Sequence, residues 1–162
     1  MLKTTAFAIV TLACVDQAAA EGPPFTIGST PSWIVLGGLT TGGTVALADQ
    51  GALVGGEVSV ARLRDANIVG FYADGYYDWG TNGTYVTGGL ELGHKFLSLD
   101  GGGAARFAEG DSKFGLAARL TVGVGVVGVF ARYAHFYDTM DNQDVLQVGL
   151  LLKLPLWTSG RE

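Results

Sequence analysis

Apolar and polar residues alternate with a period of two along most of residues 33–154, and the alternation is clearest near its end. Over residues 144–154, Leu146, Val148, Leu150, Leu152 and Leu154 fall on one face of an extended strand. Val145, Gln147, Gly149, Leu151 and Lys153 fall on the other, because strand side chains alternate. A wholly apolar face opposite a polar-tolerant one suits a strand whose outside meets lipid and whose inside lines a lumen.

The same period predicts seven further strands. The first covers residues 33–47, although Gly37, Gly38, Gly42 and Gly43 obscure its register. The second, 52–64, sets Val54, Gly56, Val58 and Val60 against Gly55, Glu57, Ser59 and Ala61. In the third, 67–79, Val69, Phe71, Ala73, Tyr77 and Trp79 oppose Tyr72, Asp74, Tyr76 and Asp78. The fourth, 84–94, turns Val86, Leu90 and Leu92 outward and Thr87 and Glu91 inward. A fifth, 96–108, separates Leu97, Leu99, Ala105 and Phe107 from Ser98, Asp100 and Arg106. The sixth, 114–122, and seventh, 126–138, direct Arg119 and Arg132 to the polar side, and Leu116, Leu120, Val127 and Val129 to the apolar one.

The expected fold is an all-β, closed, antiparallel, up-and-down transmembrane β-barrel of about eight strands. Connections after strands two, four and six are minimal, whereas those after one, three, five and seven are longer and more polar. Short turns on one side and longer loops on the other match an outer-membrane barrel with both termini periplasmic. Tyr77, Trp79, Tyr85, Phe107, Phe114 and Tyr137 fall near the loop ends of their strands, and Trp33 and Trp157 near the turn ends. These form two aromatic belts, as a membrane interface requires. Closure demands that residues 144–154 pair with residues 33–47.

Composition sharpens this picture. The 26 glycines follow no collagen-like repeat, and the four prolines leave residues 32–154 free of ladder-breaking rings. A net charge of −5 argues against a nucleic-acid partner. Residues 1–20 have the pattern of a signal peptide, with Lys3, a short apolar core and Ala18-Ala19-Ala20. A periplasmic leader at 21–31, a barrel domain at 32–157 and a tail at 158–162 follow. Cleavage after Ala20 removes Cys14, the only cysteine, so disulfides cannot hold the mature chain. The rival reading makes Cys14 a lipidation site. The longest apolar run, residues 120–131, is too short for a membrane helix, which needs about 18–20 residues, and Gly123, Gly125 and Gly128 interrupt it.

Signal peptide, meander and final strand together resemble those of the small eight-stranded bacterial outer-membrane barrels. Gln147-x-Gly149-x-x-Leu152-x-Leu154 resembles the signal by which such barrels are recognised by the insertion machinery. Leucines stand where family members often carry aromatics, and Trp157 follows. The resemblance implies a monomer in outer-membrane lipid without cofactor.

Candidate chemistry is sparse. Glu57, Asp74, Glu91, Arg119, Arg132 and Lys153 are assigned to the lumen as a structural charge network, since an eight-stranded barrel is just wide enough for its own side chains. Arg119 and Arg132 should repel unless a carboxylate lies between them, and Lys153 is expected to point toward Glu91 or Glu57. Gly123-Val-Gly125-Val-Val-Gly128 formally matches a dinucleotide fingerprint, but an alternating segment follows it, so it reads as a hairpin. The loop acids Glu109, Asp111, Asp138, Asp141 and Asp144 read as solvated charges in preference to cation ligands. No His or Cys cluster suggests a metal site.

Three functions follow from these residues. The first is a non-enzymatic outer-membrane barrel with a structural, adhesive or envelope-stabilising role. The second is a lipid-modifying barrel enzyme using His135, although Tyr137 stands where lipid A deacylases would place a serine. The third is a soluble exported barrel holding an apolar ligand, which requires Leu90, Leu116, Leu120, Val129 and Leu150 to point inward.

Overall fold

The computed structural model describes residues 32–45, 50–64, 66–137 and 143–159. The expected signal peptide with Cys14, the leader, and the loop acids Asp138 and Asp141 lie outside the described residues. Eight strands follow one another: β1 (Ser32–Val45), β2 (Gln50–Arg64), β3 (Asn67–Asp78), β4 (Gly83–His94), β5 (Leu97–Ala108), β6 (Asp111–Val124), β7 (Val127–Tyr137) and β8 (Gln143–Thr158). Each pairs antiparallel with its neighbour in sequence, and β1 pairs with β8 to close the barrel. The protein is an all-β, up-and-down, eight-stranded barrel. Among the described residues no helix is long and apolar enough to cross a membrane.

Closure joins the strand with the least legible register to the one with the most legible. Thr41 stands opposite Leu150, Gly42 opposite Gly149 and Gly38 opposite Lys153. The register shifts between Val35 and Leu36, where Trp157 and Pro155 are the respective partners. A bulge at this point accommodates Pro155, which has no N–H for the ladder. Beyond it the chain continues pairing to Thr158, so the first residue of the expected tail belongs to β8. Ser159 then clasps Trp33, its N–H donating to the Trp33 carbonyl at 2.8 Å.

The turns are tighter than the polar stretches suggest. Lys95-Phe96 and Gly125-Val126 are two-residue connections. Lys95 and Gly125 both take positive φ, as the first position of a type II′ hairpin turn demands. The longer connection expected over residues 109–113 is also only two residues, Glu109-Gly110, because β6 already starts at Asp111. Ladder pairing of Ala108 with Asp111 and of Phe107 with Ser112 absorbs the polar residues that had suggested a loop. The connection after β3 remains longer, four residues from Trp79 to Asn82.

Burial alternates along nearly every strand and fixes which face is inside. Arg119 is 1 % exposed, whereas the next residue, Leu120, is 46 % exposed. Leu90, Leu116, Val129 and Leu150 are exposed outward as well, opposite to the orientation required of a soluble ligand-binding barrel. The outer wall is built of Val, Leu and Phe, and the inner wall carries Glu, Asp, Arg and Thr. A barrel folding in water has the reverse distribution, because burying a charge without a partner is costly.

Candidate functional site: the charged lumen

The sheet register decides which polar side chains become neighbours. On the inner face, Glu91, Asp100, Arg119, Arg132, Gln147 and Thr44 are successive cross-strand partners from β4 through β8 to β1. A second run links Thr87, Asp74, Glu57, Gly38 and Lys153. Within these runs like charges stand side by side: Glu91 with Asp100, Arg119 with Arg132, Asp74 with Glu57. Such pairs repel along the wall. Relief comes across the lumen.

Arg119 is the hub. Its Nη1 donates to Glu57 and reaches Asp74 at 3.3 Å, while Nε donates to Asp100 at 2.7 Å. Arg132 donates to the same Asp74 oxygen, so a carboxylate bridges the two guanidinium groups, as their proximity requires. Lys153 lies 2.6 Å from both Glu57 and Glu91, joining the two acids between which sequence left the choice open. Ser59 donates to Glu57 at 3.0 Å, and Thr87 donates to Asp74. All six residues assigned to the lumen thus meet in one network.

Aromatic rings wall this network. The Arg119 guanidinium lies 5.1 Å from the Tyr72 ring centroid, and that of Arg132 lies 4.4 Å from Tyr76 and 5.4 Å from Phe130. Toward the end carrying the Trp79–Asn82 turn, Tyr76 stacks on Tyr85 at 5.0 Å and Tyr85 meets Phe136 edge-on at 5.7 Å. Leu53 and Val145 complete an apolar layer there. Asp78, fully buried, accepts from Thr44 and from the Gly80 N–H at 2.8 Å, tying the turn to the wall. Ion pairs in the middle and packed rings at one end fill the bore with side chains.

Sequence parity puts Asp100, Tyr72 and Tyr76 on the inward face, but the charge network read from sequence leaves them out; the structure adds them to it. Tyr85 is a correction. It was placed in the outer aromatic belt, yet it is fully buried, because its odd position on β4 aligns it with Thr87 and Glu91. Parity overrides aromatic character here.

The other belt residues face outward. Trp79, Phe107, Phe114 and Tyr137 are exposed near the loop ends, with Tyr77 half-buried against Trp79 at 5.2 Å. Trp33 and Trp157 are exposed at the opposite end, where Phe96, the first residue of the predicted fifth strand and not assigned to a belt, joins them. In the segment with the insertion pattern, Gln147 is buried, its side-chain amide 3.4 Å from Thr44 and Asp78. Gly149 faces inward, and Leu154 is exposed outward with Leu152 half-buried beside it.

Outside the lumen, a polar cluster stands on the barrel wall between β7 and β8. His135 Nδ1 lies 2.7 Å from Asp144, Tyr133 donates to the same carboxylate oxygen at 2.8 Å, and Tyr137 packs edge-on against the imidazole at 5.0 Å. A carboxylate on Nδ1 orients the ring, yet the residue two positions on is a phenol ring packed on His135. Asp111 lies 3.6 Å from Lys113. Among the described residues no group of three His, Cys, Asp or Glu could hold a metal ion. The glycine-rich fingerprint spans the β6–β7 hairpin, and a strand follows it where a phosphate site needs a helix.

No family model, curated protein or solved structure matches this chain.

Proposed function

We propose that this protein is a bacterial outer-membrane β-barrel with a structural, adhesive or envelope-stabilising role, its lumen plugged by a polar and charged side-chain network. The observation that carries the proposal is the inverted polarity: Arg119 buried in an ion-pair network beside Leu120 exposed on an apolar wall. Lipid is the solvent in which that wall costs nothing and the backbone of a closed sheet is fully satisfied. Exposed aromatic residues near both ends suit the two interfaces of a bilayer. The two-residue turns at 95–96 and 125–126 share one end of the barrel with the start of β1 and the close of β8, the periplasmic end in this reading. The protein works as a monomer, with outer-membrane lipid around it and the insertion machinery as a partner during assembly. Gln147, Gly149, Leu152 and Leu154 carry the recognition pattern.

A non-enzymatic role is favoured because the lumen is occupied by its own side chains and His135 is paired with Asp144 and covered by Tyr137. The test is membrane fractionation of the expressed full chain, with gel mobility compared before and after boiling. Retention in the outer membrane after carbonate washing, together with a heat-dependent mobility shift, is expected. Release by carbonate with no heat shift would overturn the membrane reading. Loss of lipid processing in His135→Ala, with the heat shift retained, would overturn the non-enzymatic one and favour a lipid-modifying barrel.

A further inference from the structure

The lumen network has more negative than positive groups. Four carboxylates, Glu57, Asp74, Glu91 and Asp100, are joined with three cations, Arg119, Arg132 and Lys153. The difference of 4 − 3 leaves one carboxylate uncompensated within that set. Asp78 stands apart, held by a hydroxyl, an amide and backbone N–H groups near its turn.

Oxygen-by-oxygen accounting locates the surplus. Both Glu57 oxygens are engaged, one by Ser59 and Lys153 and the other by Arg119. Both Asp74 oxygens are engaged, one by Thr87 and the other by the two arginines. Glu91 uses Oε1 on Lys153 but leaves Oε2 buried without a partner. Asp100 uses Oδ2 on Arg119 but leaves Oδ1 in the same condition. Glu91 and Asp100 are 3 % and 1 % exposed. They are direct partners across the β4–β5 ladder and project from the same face. Side chains so placed have their Cβ atoms about 4.5–5.5 Å apart, within reach of a shared hydrogen bond.

We propose that Glu91 and Asp100 form a proton-binding site, sharing one proton between their two open oxygens. One carboxyl then donates through its O–H and the other accepts, so both orphaned oxygens are satisfied and the set of seven charged groups becomes neutral. Adjacent carboxylates removed from water resist joint ionisation unless cations engage their oxygens, as they do for Glu57 and Asp74 and do not for the two open oxygens here. The groups facing the pair are consistent with a single proton. Lys153 of β8 holds Glu91 and also Glu57 of β2; Arg119 of β6 holds Asp100; Asp74 of β3 holds Arg132 of β7; and Tyr72 of β3 packs against Arg119. No cation beyond these is joined to either acid among the described residues.

The readout is the carbonyl-stretch infrared band of a protonated carboxyl, recorded in D2O at neutral pD on the folded full-length barrel. The wild type is expected to show such a band, and raising pD should abolish it in a single one-proton step. Glu91→Gln and Asp100→Asn should each lack the band, while Asp144→Asn, outside the lumen, should keep it. Unheated gel mobility verifies that each variant is folded. Absence of the band from the wild type, or its persistence in a folded Glu91→Gln or Asp100→Asn protein, would overturn the proposal. If neither variant folds, the wild-type band and its pD titration alone decide. A bound alkali cation in place of the proton would leave no band, and so counts against it.

Discussion

Gly149 shows how narrow the interior is at the scale of one residue. A Cβ built there would sit 2.2 Å from the Thr41 carbonyl oxygen, 2.8 Å from Gly42 Cα and 2.8 Å from the Phe130 ring. Two of those obstacles are backbone, which cannot rotate aside. Gly149→Ala is therefore expected to destabilise the barrel by about 1–3 kcal/mol, read as a lower denaturant midpoint. An unchanged midpoint would mean that β1 and β8 are less tightly apposed than their register indicates. Sequence marks Gly149 as part of a recognition pattern, but its crowding comes from β1 and β7, remote along the chain. Tyr85 teaches the complementary lesson. Its odd position on β4 directs it inward with Thr87 and Glu91, and on a strand parity outweighs aromatic character.

At the scale of elements, adjacent strands place like charges together and the curvature of the sheet resolves the conflict. Arg119 and Arg132 are direct partners on β6 and β7, so neither could be buried on a flat sheet without repulsion. Curling the sheet brings β2 and β3 across the bore and delivers Glu57 and Asp74 to them. Arg119→Leu removes the hub while leaving three carboxylates behind, and it should cost about 3–5 kcal/mol in unfolding free energy. Equilibrium denaturant unfolding checks this value; a loss below about 1 kcal/mol, the scale of an exposed ion pair, would show that water reaches the site. The six lumen charges are legible as a set from parity, and sequence points Lys153 toward Glu91 or Glu57, where the structure joins it to both. Which acid serves which arginine is not legible, because Glu57 and Arg119 are 62 residues apart.

At the scale of the whole molecule, the solvent around the barrel decides what its outer face costs. Leu120 lies next to Arg119 in sequence and exposes its side chain on the opposite face. If the proposed bilayer surrounds this wall, Leu120→Arg should destabilise the fold, by up to about 2–4 kcal/mol for a lipid-facing arginine deep in the membrane, whereas an exposed substitution in water typically changes stability by less than about 0.5 kcal/mol. Unfolding the wild type and the variant from lipid vesicles distinguishes these outcomes. The β5–β6 connection also belongs to this scale: its polar residues suggest a loop, but pairing with β5 starts β6 at Asp111, so that only Glu109 and Gly110 remain.

Sequence by itself determined the number of strands and the inward or outward direction of nearly every side chain. That information is local: a period of two is set by each residue and its chain neighbours, and a slip of one position would turn the apolar face inward. Tertiary structure alone decided the register in which β1 meets β8, the bulge beside Pro155, the partners of Arg119, and that Lys153 serves Glu57 and Glu91 together. Those depend on stagger accumulated from strand to strand around a closed sheet, which no single segment encodes.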